Sequence, residues 1–142
     1  MTAHVLYPAW DEELPATMSR RILQGILREE MGFGGLVVSD DLEMKAVRGR
    51  FPLEHQLRLA CEATVDLFLC CESPSLQAEA FEHLVRLQEA DSSHDQLARD
   101  SNARLMVLRE RYMKTPILRD PQVLGCATHA DLVHRIRALG ED

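Results

Sequence analysis

The sequence has no excess of basic residues and no long apolar run, and each absence removes a class of partner. Lysine and arginine number 16 against 23 aspartate and glutamate, a formal charge of -7. Nothing therefore draws the chain to nucleic-acid phosphates or anionic lipid, and neither nucleic acid nor membrane is an expected partner. The longest apolar stretch, Val65 to Cys71, is far short of the ~20 residues a membrane helix needs, and Asp66 interrupts it. The opening segment, MTAHVLYPAW, has neither a basic n-region nor a long apolar h-region, so it does not read as a secretory leader. Low-complexity tracts and convincing repeats are also missing. None of the cysteines, Cys61, Cys70, Cys71 and Cys126, has zinc-finger spacing, and the chain is not a small, loop-rich disulfide scaffold. Reduced thiols in a cytoplasmic protein are the expectation. Cys70 and Cys71 would point to opposite faces of a strand, each behaving as a small buried hydrophobe.

What is present suits one compact domain: 142 residues, 46% of them hydrophobic. Residues 3–7 read as a short strand ending at Pro8, followed by a loop through Pro15. Thr17 or Ser19 then caps a helix in which Ile22, Leu23, Ile26, Leu27 and Met31 recur at helical spacing, with Gly32 as the stop. Leu36, Val37 and Val38 predict a strand over 35–39, buried on both faces as in parallel sheets. A polar segment with Lys45, Arg48, Arg50 and Pro52 leads to a helix carrying Leu53, Leu57, Ala60, Cys61 and Thr64. Residues 65–71 form the third expected strand, closed by Glu72 and Pro74. Two helices follow, one over 75–90 and one from a Ser93 cap through Leu97, Leu105, Leu108 and Tyr112. A Pro116/Pro121 linker then leads to a short helix with Leu132, Ile136 and Leu139.

This β-α-β-α-β-α order implies an α/β fold with parallel, sequential strands whose C-terminal ends share one edge, where such proteins place their ligands and catalytic groups. His4 with Tyr7, Asp40 with Asp41, and Glu72 with Ser73 would gather there. Two carboxylates ending a buried strand are costly unless solvated, hydrogen-bonded or used. They suit a cap for the next segment, a phosphoacceptor, a Mg2+ site or catalysis, and no third metal ligand is identifiable from the sequence. The Glu12-Glu13 and Glu29-Glu30 pairs and the arginines between 99 and 111 read as solvated faces.

The segment Ile26-Leu27-Arg28-Glu29-Glu30-Met31-Gly32-Phe33-Gly34-Gly35-Leu36-Val37-Val38-Ser39-Asp40 resembles the active-site signature of family 3 glycoside hydrolases. Two aliphatics, a base, an acid two residues on, a spaced glycine, three aliphatics and Ser-Asp fall where that family has them. Glu43 departs, standing where the family usually has a small residue. MTAHVLYPAWD and SDDLEMKA are similar to segments of the bacterial β-N-acetylhexosaminidases that act on peptidoglycan fragments. The resemblance covers residues 1 to about 113 and leaves 114–142 as a tail with a short helix.

The resemblance implies a partial (β/α)8 TIM barrel of about three C-terminal βα units. It implies cofactor-free, retaining hydrolysis of terminal β-linked N-acetylglucosamine, in peptidoglycan recycling, with Asp40 as the nucleophile. His4 and Asp41 would bind the sugar, although a lone histidine equally fills a structural role. Trp10, with Tyr7, would stack on a sugar ring or simply pack locally. The family's acid/base is an aspartate-histidine pair on a loop from an earlier strand. A barrel of ~250 residues divides into ~31 per unit, so the first five strands, that loop and the sugar clamps fall outside this chain. Met1 stands at an internal methionine of the family, so the chain is expected to be a fragment, a truncated product or a mis-assigned start, and inactive by itself. The alternative is a non-catalytic α/β remnant or interaction module. Its open sheet edges would be covered by its own tail, by a partner or by self-association.

Overall fold

Pro15 ends the first loop and leads into a 3-10 turn, Ala16–Met18. The Ser19 hydroxyl then accepts the N–H of Ile22 at 3.3 Å, so of the two expected caps Ser19 starts the helix. In the computed structural model, which describes residues 1–113 and 125–139, this helix, Arg21–Glu30, is a π-helix. Its bonds reach five residues back, as from Met31 N–H to the Ile26 carbonyl at 2.9 Å. It buries Ile22 and Leu23 and stops at Gly32, whose φ of +69° a side chain would resist.

Among the described residues one sheet forms, of two parallel strands: β1, Val38–Asp41, and β2, Leu67–Leu69. Val38 pairs with Leu67 and Asp41 with Leu69, with an irregularity between. Two helices lie between the strands, a single turn α1, Lys45–Arg48, and α2, Leu53–Glu62. After β2 come α3, Pro74–Ala90, capped by the Ser73 hydroxyl, and α4, Ser92–Tyr112. The last helix, α5, Ala127–Ala138, leaves Leu132, Val133 and Ile136 exposed.

The core lies on one face of the sheet. Val37 and Val65 pack with Ala16, Ile22, Leu23, Ala60 and Ala63, while Leu42, Leu57 and Ala80 form a second cluster, and Phe68 joins the two. Residues alternate across a strand, so Val38 and Leu67 turn the other way. There they help line an open, mainly apolar groove of about 790 Å³ with Phe33, Leu36, Val107 and Tyr112.

Below the strands, Asp66 anchors an ion cluster. Its side chain is wholly buried, pairing with Arg28 at 2.8 Å and Arg104 at 2.8 Å and accepting the N–H of Val37 at 2.7 Å. Arg28 also donates to the Thr64 hydroxyl at 2.7 Å, the Thr64 carbonyl at 2.9 Å and the Gly35 carbonyl at 3.1 Å. These bonds hold Thr64 at φ 72°, a left-handed conformation uncommon for a β-branched residue.

Several expectations are corrected. Residues 3–7 form no strand: the backbone bond to β1 at this end of the chain comes from Thr2, just before the segment, whose N–H reaches the Val38 carbonyl at 2.8 Å. A parallel ladder needs evenly spaced bonds from both partners. The strand expected over 35–39 runs from Val38 into the carboxylates, because pairing with β2 rather than the apolar run sets its limits. The strand expected over 65–71 contracts to Leu67–Leu69. Asp91, not Ser93, caps α4, with its carboxylate accepting the Ser93 N–H at 2.8 Å. Arg104 faces Asp66 rather than solvent, and Cys71 is exposed. The Pro116/Pro121 linker lies outside the described residues.

Candidate active site

β1 carries Asp40 and Asp41 at its C-terminal end, where the ladder with β2 is irregular. Asp40 is half-buried, and its Oδ1 accepts the N–H of Asp41 at 2.9 Å. No other hydrogen bond reaches its carboxylate among the described residues, which leaves Oδ2 unengaged. Asp41 is held differently. Its Oδ1 accepts the N–H of Glu43 at 3.2 Å and of Cys71 at 3.3 Å, and its carbonyl lies 3.0 Å from His4 Nε2. His4 Nδ1 is buried with no partner. The structure thus brings His4, Asp40 and Asp41 together, with one unengaged carboxylate oxygen and one unpartnered ring nitrogen.

Glu43 completes the rim. Its Oε2 accepts the N–H of Glu72 at 2.6 Å, and both its oxygens receive the N–H of Ser73, at 3.1 and 3.2 Å. Sequence reasoning missed this role, and the signal for it was the acid in a position of small residues. Beneath the rim the buried Ser39 hydroxyl accepts the N–H of Leu69 at 3.0 Å, tying the two strands where the ladder is irregular. The thiols beside the carboxylates are held protonated. Desolvation and then the charges of Glu43 and Asp41 push Cys70 above the usual thiol range, and desolvation followed by Asp41 does the same for Cys71.

Tyr7 and Trp10 pack on each other, ring centres 5.7 Å apart, and both remain partly exposed. Glu72 and Ser73 reach the rim through their main-chain N–H groups. Among the described residues no group of three His, Cys, Asp or Glu is placed to hold a metal ion, and no helix is long and apolar enough to cross a membrane. Chemically, Asp40 has the features of a nucleophile or general base, a carboxylate at a strand end with an oxygen to spare. Asp41, committed to main-chain donors, has those of an orienting group.

Comparison with known proteins shows the family. The chain is 34% identical over its full 142 residues to a β-hexosaminidase of Thiobacillus denitrificans, covering 36% of that protein. It is 44% identical over 84 residues, 59% of the chain, to a β-hexosaminidase of Alkalilimnicola ehrlichii, covering 24% of it. The fold superposes on a family 3 β-N-acetylglucosaminidase from a Paenibacillus species with a TM-score of 0.76 and 33% identity, over 96% of this chain and 27% of that one. The chain therefore spans roughly a quarter to a third of the length of these relatives. The family model described as the glycosyl hydrolase family 3 N-terminal domain matches residues 1–108, and the chain belongs to that family.

Proposed function

We propose that this chain is the catalytic-nucleophile region of a retaining glycosidase that removes terminal β-linked N-acetylglucosamine, as from peptidoglycan fragments, in the cytoplasm and without a cofactor. In this reading residues 1–113 are the C-terminal part of a (β/α)8 barrel, about three βα units, and 114–142 are a tail. Asp40 attacks the anomeric carbon through its unengaged oxygen, forming the glycosyl ester as the aglycone oxygen leaves with a proton donated by an acid/base from the rest of the barrel. Water, deprotonated by the same acid/base, then cleaves the ester. His4 and Asp41 bind the sugar. The observation that carries the reading is the half-buried Asp40 carboxylate at the end of β1 with one oxygen unengaged, in a chain whose relatives are named β-hexosaminidases.

The acid/base belongs to the part of the barrel beyond this chain. General acid–base catalysis contributes on the order of 10²–10⁴-fold, so the 142-residue chain alone is expected to turn over little or no aryl N-acetyl-β-glucosaminide. The test joins it to the first five βα units of a close relative and repeats the assay. A folded, complete barrel that stays inactive overturns the reading. Turnover by the isolated chain comparable to a complete enzyme overturns the need for the missing units.

The bare apolar groove favours a second reading, a non-catalytic module that self-associates or binds a partner through its open sheet edges. Sedimentation of the isolated chain separates the two. A discrete dimer, together with an inactive complete barrel, supports the module.

A further inference from the structure

Glu43 stands three residues after Asp40, and its side chain reaches across to the segment after β2. Its carboxylate receives the N–H groups of Glu72 at 2.6 Å and Ser73 at 3.1 and 3.2 Å. Two positions earlier, Asp41 receives the N–H of Cys71 at 3.3 Å. Three successive main-chain donors from the segment after β2 thus end on two carboxylates from the end of β1 and the segment after it. Cys71 and Glu72 are exposed, so without these acceptors their N–H groups would turn to water and the segment would lose its tie to β1. Charged acceptors also make the stronger kind of hydrogen bond.

The connection continues past the rim. The same Asp41 whose side chain holds Cys71 offers its carbonyl to His4 and its N–H to Asp40. Movement of the segment after β2 withdraws the Cys71 donor from Asp41, and freedom gained by Asp41 is felt on both sides.

We propose that Glu43 is a positioning residue. Its carboxylate clasps the segment after β2 to the segment after β1 and thereby keeps Asp41, and through it His4 and Asp40, in the arrangement described. The functional weight of this rests on the reading of Asp40 as nucleophile. Glu43 itself acts through the clasp rather than on the reacting atoms.

The test compares the 142-residue chain with Glu43→Ser, Glu43→Asp and Glu43→Gln by NMR. The Glu72 and Ser73 amides are expected to exchange about tenfold faster in Glu43→Ser. Gln restores part of the protection because its amide oxygen accepts an N–H, whereas Asp, one methylene shorter, does not. The readout that a local cap would not move is the pair formed by the His4 ring and Asp41 amide resonances, which shift in Glu43→Ser and return toward their original positions in Glu43→Gln. Unchanged exchange at Glu72 and Ser73 removes the clasp. Changes confined to residues 72–76, with His4 and Asp41 unmoved, make Glu43 a cap for α3 and overturn the positioning role. Trapping with a fluoro-glycoside on the unsubstituted complete barrel reads the other premise: no label on Asp40 sinks the nucleophile, while the NMR result for Glu43 stands.

Discussion

Asp66 lies 2.8 Å from the Arg28 guanidinium with none of its side chain exposed, although 38 residues separate them in sequence. The base of the family signature is therefore a strut. Removing one partner of a buried pair leaves the other charge uncompensated, at a cost of about 3–5 kcal/mol. Arg28→Ala and Asp66→Ala should each lower stability by that order in urea unfolding. Arg104→Ala should cost less, since Arg104 is 23% exposed and Arg28 still pairs with Asp66. Equal losses for the two arginine variants would contradict this ranking.

In the complete barrel, Asp40→Asn should abolish turnover, because an amide does not form the glycosyl ester. Asp41→Asn should cost less, since its Oδ1 accepts the two main-chain N–H groups and an amide oxygen in its place still accepts them. A 2-fluoro or 5-fluoro glycoside should label Asp40. Peptide mapping that places the label on Asp41 removes the nucleophile assignment.

The thiols should separate by alkylation rate against pH. Burial pushes Cys61 up to about 12, with the charge of Glu62 adding to it, so it should stay unmodified in the folded chain near neutral pH. Cys71 is exposed but raised by desolvation and by Asp41, so it should react with an inflection above that of an ordinary thiol. Asp41→Asn should move that inflection down. An unmoved inflection would show that Asp41 does not act on Cys71.

Asp11 supplies a pH-dependent contribution to stability. Burial alone would raise its pKa. The Ser19 hydroxyl at 2.6 Å, the N–H groups of Leu14 and Glu13, and the charge of Arg21 outweigh this and lower it. A folded pKa below the unfolded one means the contribution is full above the unfolded value, about 3.9, and is lost as pH falls through the folded value. The difference in Tm between the wild type and Asp11→Asn should hold from neutral pH down to about 5 and shrink below about 4. A difference that persists in acid would point to packing instead of charge.

Local features were legible and distant ones were not. Ile22, Leu23, Ile26 and Leu27 announced a helix, but their spacing suits α and π hydrogen bonding alike, so the π form was hidden. Leu36-Val37-Val38 marked where the chain enters the core, while the ladder begins only where β2 lies alongside, three residues after the expected start at 35. Residues 3–7 have strand-like composition, yet composition does not say whether a neighbour will supply the bonds. Asp40 and Asp41 were singled out because a strand end is a local signal and the signature is contiguous, whereas His4 was placed at the end of a strand that does not form. The Arg28–Asp66–Arg104 cluster and the Glu43 clasp join segments some 30 to 40 residues apart, and only the departure of Glu43 from the family pattern hinted at either.

The clasp also sets what mutational drift can do to the neighbouring segment. Glu43 reads main-chain donors, so position 72 is open to any side chain that tolerates the surface and closed to proline, which has no N–H to offer. Position 73 is narrower, because the same residue gives its N–H to Glu43 and its hydroxyl to the start of α3. A library randomised at 43, 72 and 73 should therefore return glutamate or glutamine at 43, a near-random spread without proline at 72, and serine or its capping equivalents at 73.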